Sequence, residues 1–308
     1  AGPYETGPAR YHRDNLCLRH AAGHHLWQPF GPGCICIPEL AAGPLQLLNP
    51  RPVLSVFSEN PGDPDGFVGN FKTELRNGDS TQTIEHGVAV IATGAKEYKP
   101  DEYLYGEHKA VMTHLELDDL FQNNDPRVDQ AENVVFIQCV GSRDEAHPYC
   151  SKVCCTHSVK SAIDFKQKNP DTNVYVLYRD IRTYGKREDL YQEARAAGVI
   201  FSSYSVDQKP EVKPDGDQIV IKFTERILNR KMAVKADILC LASAIVSHWD
   251  HSLAQLFKVP LDSDGWLLEA HQKLRPVDFA NDGIFLCGMA HYPKPIEESI
   301  AQAQAAAA

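Results

Sequence analysis

The sequence predicts an α/β fold built on a parallel, doubly wound sheet, and three observations carry that expectation. Over residues 133–203 short apolar strands alternate with helix-length amphipathic stretches, which implies parallel strands joined by helical crossovers. Ahead of them lies an alternating segment with Asn77-Gly78 at its centre, a strong hairpin signal, followed by an apolar strand over 87–92. Finally, the strand over 134–138 runs not into a Gly-rich phosphate turn but into a loop that carries cysteines.

Residues 1–50 are dense in Gly and Pro and sustain neither helical nor strand periodicity, so they read as an irregular segment. Cys17, Cys34, Cys36, His20, His24 and His25 lie there, but their spacing fits no common zinc pattern. Strands are expected at 53–58, 67–75 and 83–86, and the strand over 87–92 closes on Ala92-Thr93-Gly94-Ala95. A short helix follows at 113–121, with Leu115, Leu117, Leu120 and Phe121 apolar. Residues 123–130 are polar, contain Pro126 and read as a linker.

The second unit opens with the strand over 134–138. A helix over 150–168 takes its apolar face from Val153, Val159, Ala162, Ile163 and Phe165, and Asn169-Pro170-Asp171 ends it. A strand at 173–178, a helix at 187–197 closed by Gly198 and a strand at 199–203 complete the alternation. Strands at 218–224 and 231–235 flank Asn229, and 237–242 is a buried strand. The remainder reads as a β-rich stretch, a strand at 283–287 and a last helix from about Pro295.

Composition narrows the function classes. The chain has 308 residues, enough for two domains, with 43% hydrophobic and 23% charged residues and a formal net charge of −10. It shows no basic stripe of the kind that nucleic acid selects. Its longest apolar runs are strand-length, against the roughly 20 residues that span a bilayer. No export signal pattern leads the sequence, so a cytoplasmic chain without direct membrane insertion is expected.

Nine cysteines are many for such a chain, and four of them, Cys139, Cys150, Cys154 and Cys155, have the spacing C-x10-C-x3-C-C. Four thiolates are the ligand set of a [4Fe–4S] cluster. The last two open a helix, whose N-terminus offers unpaired N–H groups and the positive end of a dipole to an anionic cluster. Zinc also takes four cysteines, but its usual knuckles are paired C-x2–4-C, which the adjacent Cys154 and Cys155 fit poorly. A strained vicinal disulfide and inert buried thiols are the other readings. Cys240 and Cys287 lie in apolar strands and read as core.

At these residues the sequence resembles the A subunit of heterodisulfide reductase and its bacterial homologues. The matching stretches are VVFIQCVGSRD at 134–144, YCSKVCCT at 149–156, VYVLYRDIRTYG at 174–185, LLEAHQKLRPVDFANDGIFLCG at 267–288 and HYPKPIEESIAQAQAAAA at 291–308, with further matches at 66–75 and 85–117. The resemblance implies a thioredoxin-reductase-like flavoprotein fold with two dinucleotide-binding domains, incomplete at the N-terminus. It divides the chain into an irregular segment at 1–50, a partial FAD-binding domain at 51–130 plus 255–308, and a Rossmann domain carrying the cysteines at 131–254. It implies that Cys139, Cys150, Cys154 and Cys155 hold the cluster beside the flavin, and that the Thr93-Gly94 and Gly288-Met289-Ala290 turns approach FAD. Met289 stands where related flavoproteins carry Asp. Lys160, on the cluster helix, is a candidate cation facing the flavin, with a solvated helix lysine as the plainer reading.

The family takes electrons from a hydrogenase or other donor and divides them between ferredoxin and a disulfide-reducing partner pair. The resemblance therefore implies an oxidoreductase subunit working with other heterodisulfide-reductase-type subunits. Two departures bear on this. No G-x-G-x-x-G precedes residue 51, and Ala242-Ser243-Ala244 replaces a Gly-containing turn, so a weakened or lost hold on FAD and a truncated chain are expected. The alternatives are a scaffold that only docks partner subunits, and a pyridine-nucleotide-dependent flavin reductase, against which the missing phosphate turn argues.

Overall fold

The computed structural model describes residues 34–38, 53–57, 60–61, 66–77, 80–247 and 252–308. Cys17, His20, His24 and His25 lie outside the described residues. Within the segment expected to be irregular, β1 (Cys34–Pro38) is a strand, antiparallel to β2 (Val53–Phe57). The hairpin expected at Asn77-Gly78 is present: β4 (Phe71–Asn77) and β5 (Ser80–His86) pair antiparallel, with β3 (Asn60–Pro61) on the outer edge of β4. β6 (Ala89–Ile91) pairs with β1, and β7 (Lys96–Glu97) is a two-residue strand.

The second sheet is wholly parallel. Its strands are β8 (Val111–Thr113), β9 (Asn133–Val140), β10 (Asn173–Tyr178), β11 (Ile200–Ser203) and β15 (Ile238–Ser243), in the order β11-β10-β9-β15-β8. Its helices are α1 (His114–Gln122), α2 (Pro126–Gln130), α3 (Cys154–Lys168) and α4 (Glu188–Ala196). β12 (Glu211–Asp215), β13 (Gln218–Glu225) and β14 (Arg230–Ala236) form an antiparallel meander.

Successive side chains of a strand point to opposite faces, and β9 uses both. Val134 and Phe136 pack with Val159, Ala162 and Phe165 of α3, whereas Val135 and Ile137 pack with Ile219 and Ile221 of β13. The sheet therefore lies between a helical layer and the meander, and a nearly continuous apolar run is what such a strand requires.

The chain closes with β16 (Ile245–Val246), which pairs with β7, and with α5 (Ser252–Leu256). β17 (Ile284–Leu286) joins the first sheet beside β6, and α6 (Ile296–Ala307) ends the chain. Ile91, Phe257, Leu267, Phe279 and Leu286 form a core there.

Several elements differ from the sequence expectation. The segment read as a polar linker contains α2, because Asp125 caps it by accepting from the Arg127 amide at 2.9 Å and Pro126 is preset for a first helical turn. The helix read from residue 150 starts at Cys154, because Lys152 adopts φ +59° and turns the chain before the helix begins. The stretch read as β-rich holds isolated bridges, Leu261 to Leu267 and His271 to Arg275, with α5 ahead of them. There the Asp262 carboxylate accepts the amides of Asp264 and Trp266 and folds the chain into turns. β8 pairs with β15, so residues 111–122, which the sequence reading grouped with the first unit, hydrogen-bond into and pack on the second sheet.

Candidate metal centre and adjoining cavity

The cysteines gather where β9 ends. Cys139 takes φ +61°, Gly141 φ +66° and Arg143 φ +60°, so the chain turns sharply three times within five residues. Non-glycine residues in the left-handed region cost about 1–3 kcal/mol each and persist where surrounding contacts fix them. Those contacts are on hand. The Arg143 amide donates to the carbonyls of His147 and Tyr149, the Ser142 hydroxyl donates to the Tyr149 carbonyl at 3.0 Å, and the Asp144 carboxylate accepts the amides of Ala146 and His147. The Ser151 hydroxyl accepts the Ile245 amide at 2.9 Å, which ties the loop to β16. The ten residues between Cys139 and Cys150 thus form a braced loop.

Cys154 and Cys155 are buried at the start of α3, and Cys139 and Cys150 are half-buried. The four thiols share one electrostatic neighbourhood. The neighbouring Cys155, burial and the charges of Cys139 and Cys150 raise Cys154 well above the ordinary thiol range. Cys154, the backbone of Arg182 and the Arg182 and Arg143 charges lower Cys155 to about 7, and Cys155 Sγ lies 3.7 Å from the Asp180 carbonyl. Burial raises Cys139, and Cys155 adds to that. Arg143 lies over Cys139, with Nη1 3.8 Å from Sγ and Nη2 2.6 Å from Asp180. The Lys152 amide donates to Cys150 Sγ at 3.3 Å.

Among the described residues no three His, Cys, Asp or Glu side chains converge as a site for one metal ion. A [4Fe–4S] cluster presents a separate iron to each of four thiolates and needs no such convergence. The donor set fits the cluster: four thiols around the start of α3, the Lys152 amide aimed at Cys150, and Arg143 over Cys139.

The turns expected to approach FAD also have suitable features. Thr93 Oγ1 is buried without a hydrogen-bond partner, and a Cβ on Gly94, at φ +76°, would meet no atom within 4 Å. Gly288 has φ +71° and equally open space, and Gly288–Ala290 forms a 3-10 turn between β17 and α6 with Met289 half-buried and Ala290 buried. Lys160 is exposed and pairs with Asp164 one turn along α3.

A cavity of about 550 Å³ lies beside the second turn, lined by Leu267, Glu269, His291, Tyr292, Lys294 and Gln302 among others. Sequence reading missed its polar wall. Buried Lys294 donates to Gln302 Oε1 at 2.6 Å and lies 3.1 Å from His291 Nδ1, and His291 Nε2 lies 2.6 Å from the Glu269 carboxylate. Burial brings Lys294 down to about 8, and burial and Lys294 lower His291. The signal that could have found this wall is the spacing of His291, Lys294 and Gln302 around the start of the last helix, where one face meets the chain before it.

No protein-family model matches the chain. Among curated proteins it is 36% identical over 244 residues to the A subunit of the H(2):CoB-CoM heterodisulfide,ferredoxin reductase of Methanothermobacter thermautotrophicus, covering 73% of this chain and 36% of that protein. It is 34% identical to the A subunit of the ferredoxin:CoB-CoM heterodisulfide reductase of Methanosarcina acetivorans, covering 72% of this chain and 33% of that protein. The chain thus spans about a third of the length of these relatives. Among solved structures, the HOCl-induced flavoprotein disulfide reductase RclA of Escherichia coli matches with a TM-score of 0.51 at 13% identity, over 80% of this chain and 48% of that one. The fold is that of the thioredoxin-reductase-like flavoprotein disulfide reductases, and the chain belongs to the family of heterodisulfide reductase A subunits.

Proposed function

We propose that the chain is an electron-transfer portion of an iron–sulfur flavoprotein oxidoreductase, in which Cys139, Cys150, Cys154 and Cys155 hold a [4Fe–4S] cluster and the Thr93-Gly94 and Gly288-Met289-Ala290 turns approach FAD. The observation that carries this reading is the gathering of the four thiols at the N-terminal end of α3, among donors aimed at sulfur. Bound FAD would supply two-electron chemistry and the cluster one-electron chemistry. The chain's own part is to bind and to tune. The amide of Lys152 and the cations of Arg143 and Arg182 offset thiolate charge, and hydrogen bonding to sulfur is a recognised control of cluster potential.

This reading is supported by the names of two relatives, the A subunits of a hydrogen-linked and of a ferredoxin-linked heterodisulfide reductase. The partners proposed here are accordingly other heterodisulfide-reductase-type subunits, a hydrogenase or other donor subunit, and ferredoxin. Disulfide chemistry is assigned to a partner subunit. No helix among the described residues is long and apolar enough to cross a membrane.

Anaerobic reconstitution followed by iron and sulfide counts, EPR after reduction and flavin absorbance tests the reading. About four irons per chain are expected, retained in Cys240→Ser, whose thiol is buried in β15, and lost in Cys155→Ser. Iron loss in both variants alike, or zinc in place of iron, would overturn it.

A further inference from the structure

Lys152 belongs to two places at once. Its amide donates to Cys150 Sγ at 3.3 Å. Its ammonium lies 3.6 Å from Glu298 on α6 and 4.5 Å from the centre of the Tyr292 ring. Both residues line the C-terminal cavity, and Lys294 stands 4.2 Å from the same ring. Tyr292 is therefore in contact with two ammonium groups, one from the cysteine loop and one from the cavity wall.

The backbone shows why this anchoring matters. Lys152 has φ +59°, a conformation unfavourable to a residue with a Cβ. The same turn carries the amide, between Ser151 and Lys152, that donates to Cys150 Sγ. A half-buried side chain fixed at its far end by an ion pair and a ring face offsets that cost, and cation–π contacts contribute about 0.5–2 kcal/mol. Without the anchor, residues 151–153 can relax to a commoner conformation and the amide turns away from sulfur.

We infer that Lys152 is a positioning residue that couples Cys150 to the wall of the C-terminal cavity, so that a change at Glu298 or Tyr292 is felt at the cysteine centre. The inference rests on the cluster reading given above. It goes beyond that reading by assigning a control point to α6, an element that contributes no thiol.

The test reconstitutes the full chain and its variants with iron and sulfide. It records the EPR line shape and the ratio of reduced to oxidised cluster at one fixed potential. Lys152→Ala and Glu298→Ala are each expected to change the line shape and to move the ratio at least threefold. Lys152→Arg, which keeps the charge and the reach, is expected to restore wild-type values. Tyr184 donates to the other oxygen of Glu298 at 3.0 Å, so Tyr184→Phe controls for a general disturbance of α6 and is expected to behave as wild type. Wild-type chain with no bound iron would defeat the cluster reading and the inference with it. Iron bound normally in every variant, with line shape and ratio unchanged in Lys152→Ala and Glu298→Ala, would overturn the coupling alone.

Discussion

The Lys294 ammonium and the Gly288 amide donate to the same oxygen, Gln302 Oε1, at 2.6 Å and 2.9 Å. A buried cation on the approach to α6 is thereby tied to the turn that leads from β17 toward the proposed cofactor.

That arrangement has a consequence for stability. Burial lowers Lys294 from 10.5 to about 8 in the folded chain. Between those values the unfolded chain holds the proton that the folded chain has released, so stability rises with pH. The gain is complete above 10.5 and is lost as pH falls through about 8. One pKa unit corresponds to about 1.4 kcal/mol, which sets an upper bound of about 3 kcal/mol on the effect. Lys294→Met removes this dependence. Urea unfolding of wild type and variant at pH 7.5 and 10 is expected to show wild type gaining on the variant at the higher pH. An equal change in both would show that Lys294 titrates normally.

The loop that carries Cys139 depends on Gly141. A Cβ there would lie 2.3 Å from Tyr98 Cδ1, and the residue has φ +66°. Tyr98 has little freedom to retreat, because its amide donates to the Ala244 carbonyl at 2.8 Å and its ring meets His147 edge-on at 5.5 Å. Gly141→Ala therefore incurs both left-handed strain and overpacking, and is expected to cost at least about 2 kcal/mol. Gly94→Ala has a similar φ but open space, and is expected to cost only about 1 kcal/mol. Thermal unfolding of the two variants separates the ring clash from the backbone term.

The contrast between these residues shows what the sequence discloses. β9 and α3 were legible because a strand covered on both faces must be apolar throughout and a packed helix must repeat its apolar residues every three or four positions. The cysteine spacing was legible because the loop and the helix start are local features. Contacts set by the return of the chain were not legible. β8 looks like the tail of one unit until Leu239 of β15 is found opposite Val111. Lys294, between two prolines, carries no sequence signal of burial, yet it is buried, held by Gln302 of α6 and beside His291. Lys160 attracts attention in sequence because it sits on the cysteine helix, where it is exposed and paired with Asp164; Lys152, whose reach to Glu298 depends on the return of α6, carries no such signal.

Arg143 and Asp180 provide opposed charges at the cysteine centre. Arg143 is about one-fifth exposed, at 19%, and lies over Cys139, while the Asp180 side chain is 54% exposed and pairs with both Arg143 and Arg182, and the Asp180 carbonyl accepts from Cys155 Sγ at 3.7 Å. Reduction adds negative charge to a cluster, so a nearby cation favours it and a nearby carboxylate opposes it. Arg143→Gln is expected to make the midpoint potential of the reconstituted cluster more negative. Asp180→Asn is expected to make it less negative, by removing the partner that offsets the guanidinium. The two shifts should also differ in their response to salt. At about 0.1 M ionic strength exposed charges are screened over roughly 10 Å, and buried ones much less. Raising the salt is therefore expected to shrink the Asp180→Asn shift and to leave most of the Arg143→Gln shift in place. Redox titration with EPR detection at two salt concentrations checks both signs. Equal potentials in wild type and Arg143→Gln would mean that the guanidinium interacts with Asp180 alone and has no part in holding charge on Cys139.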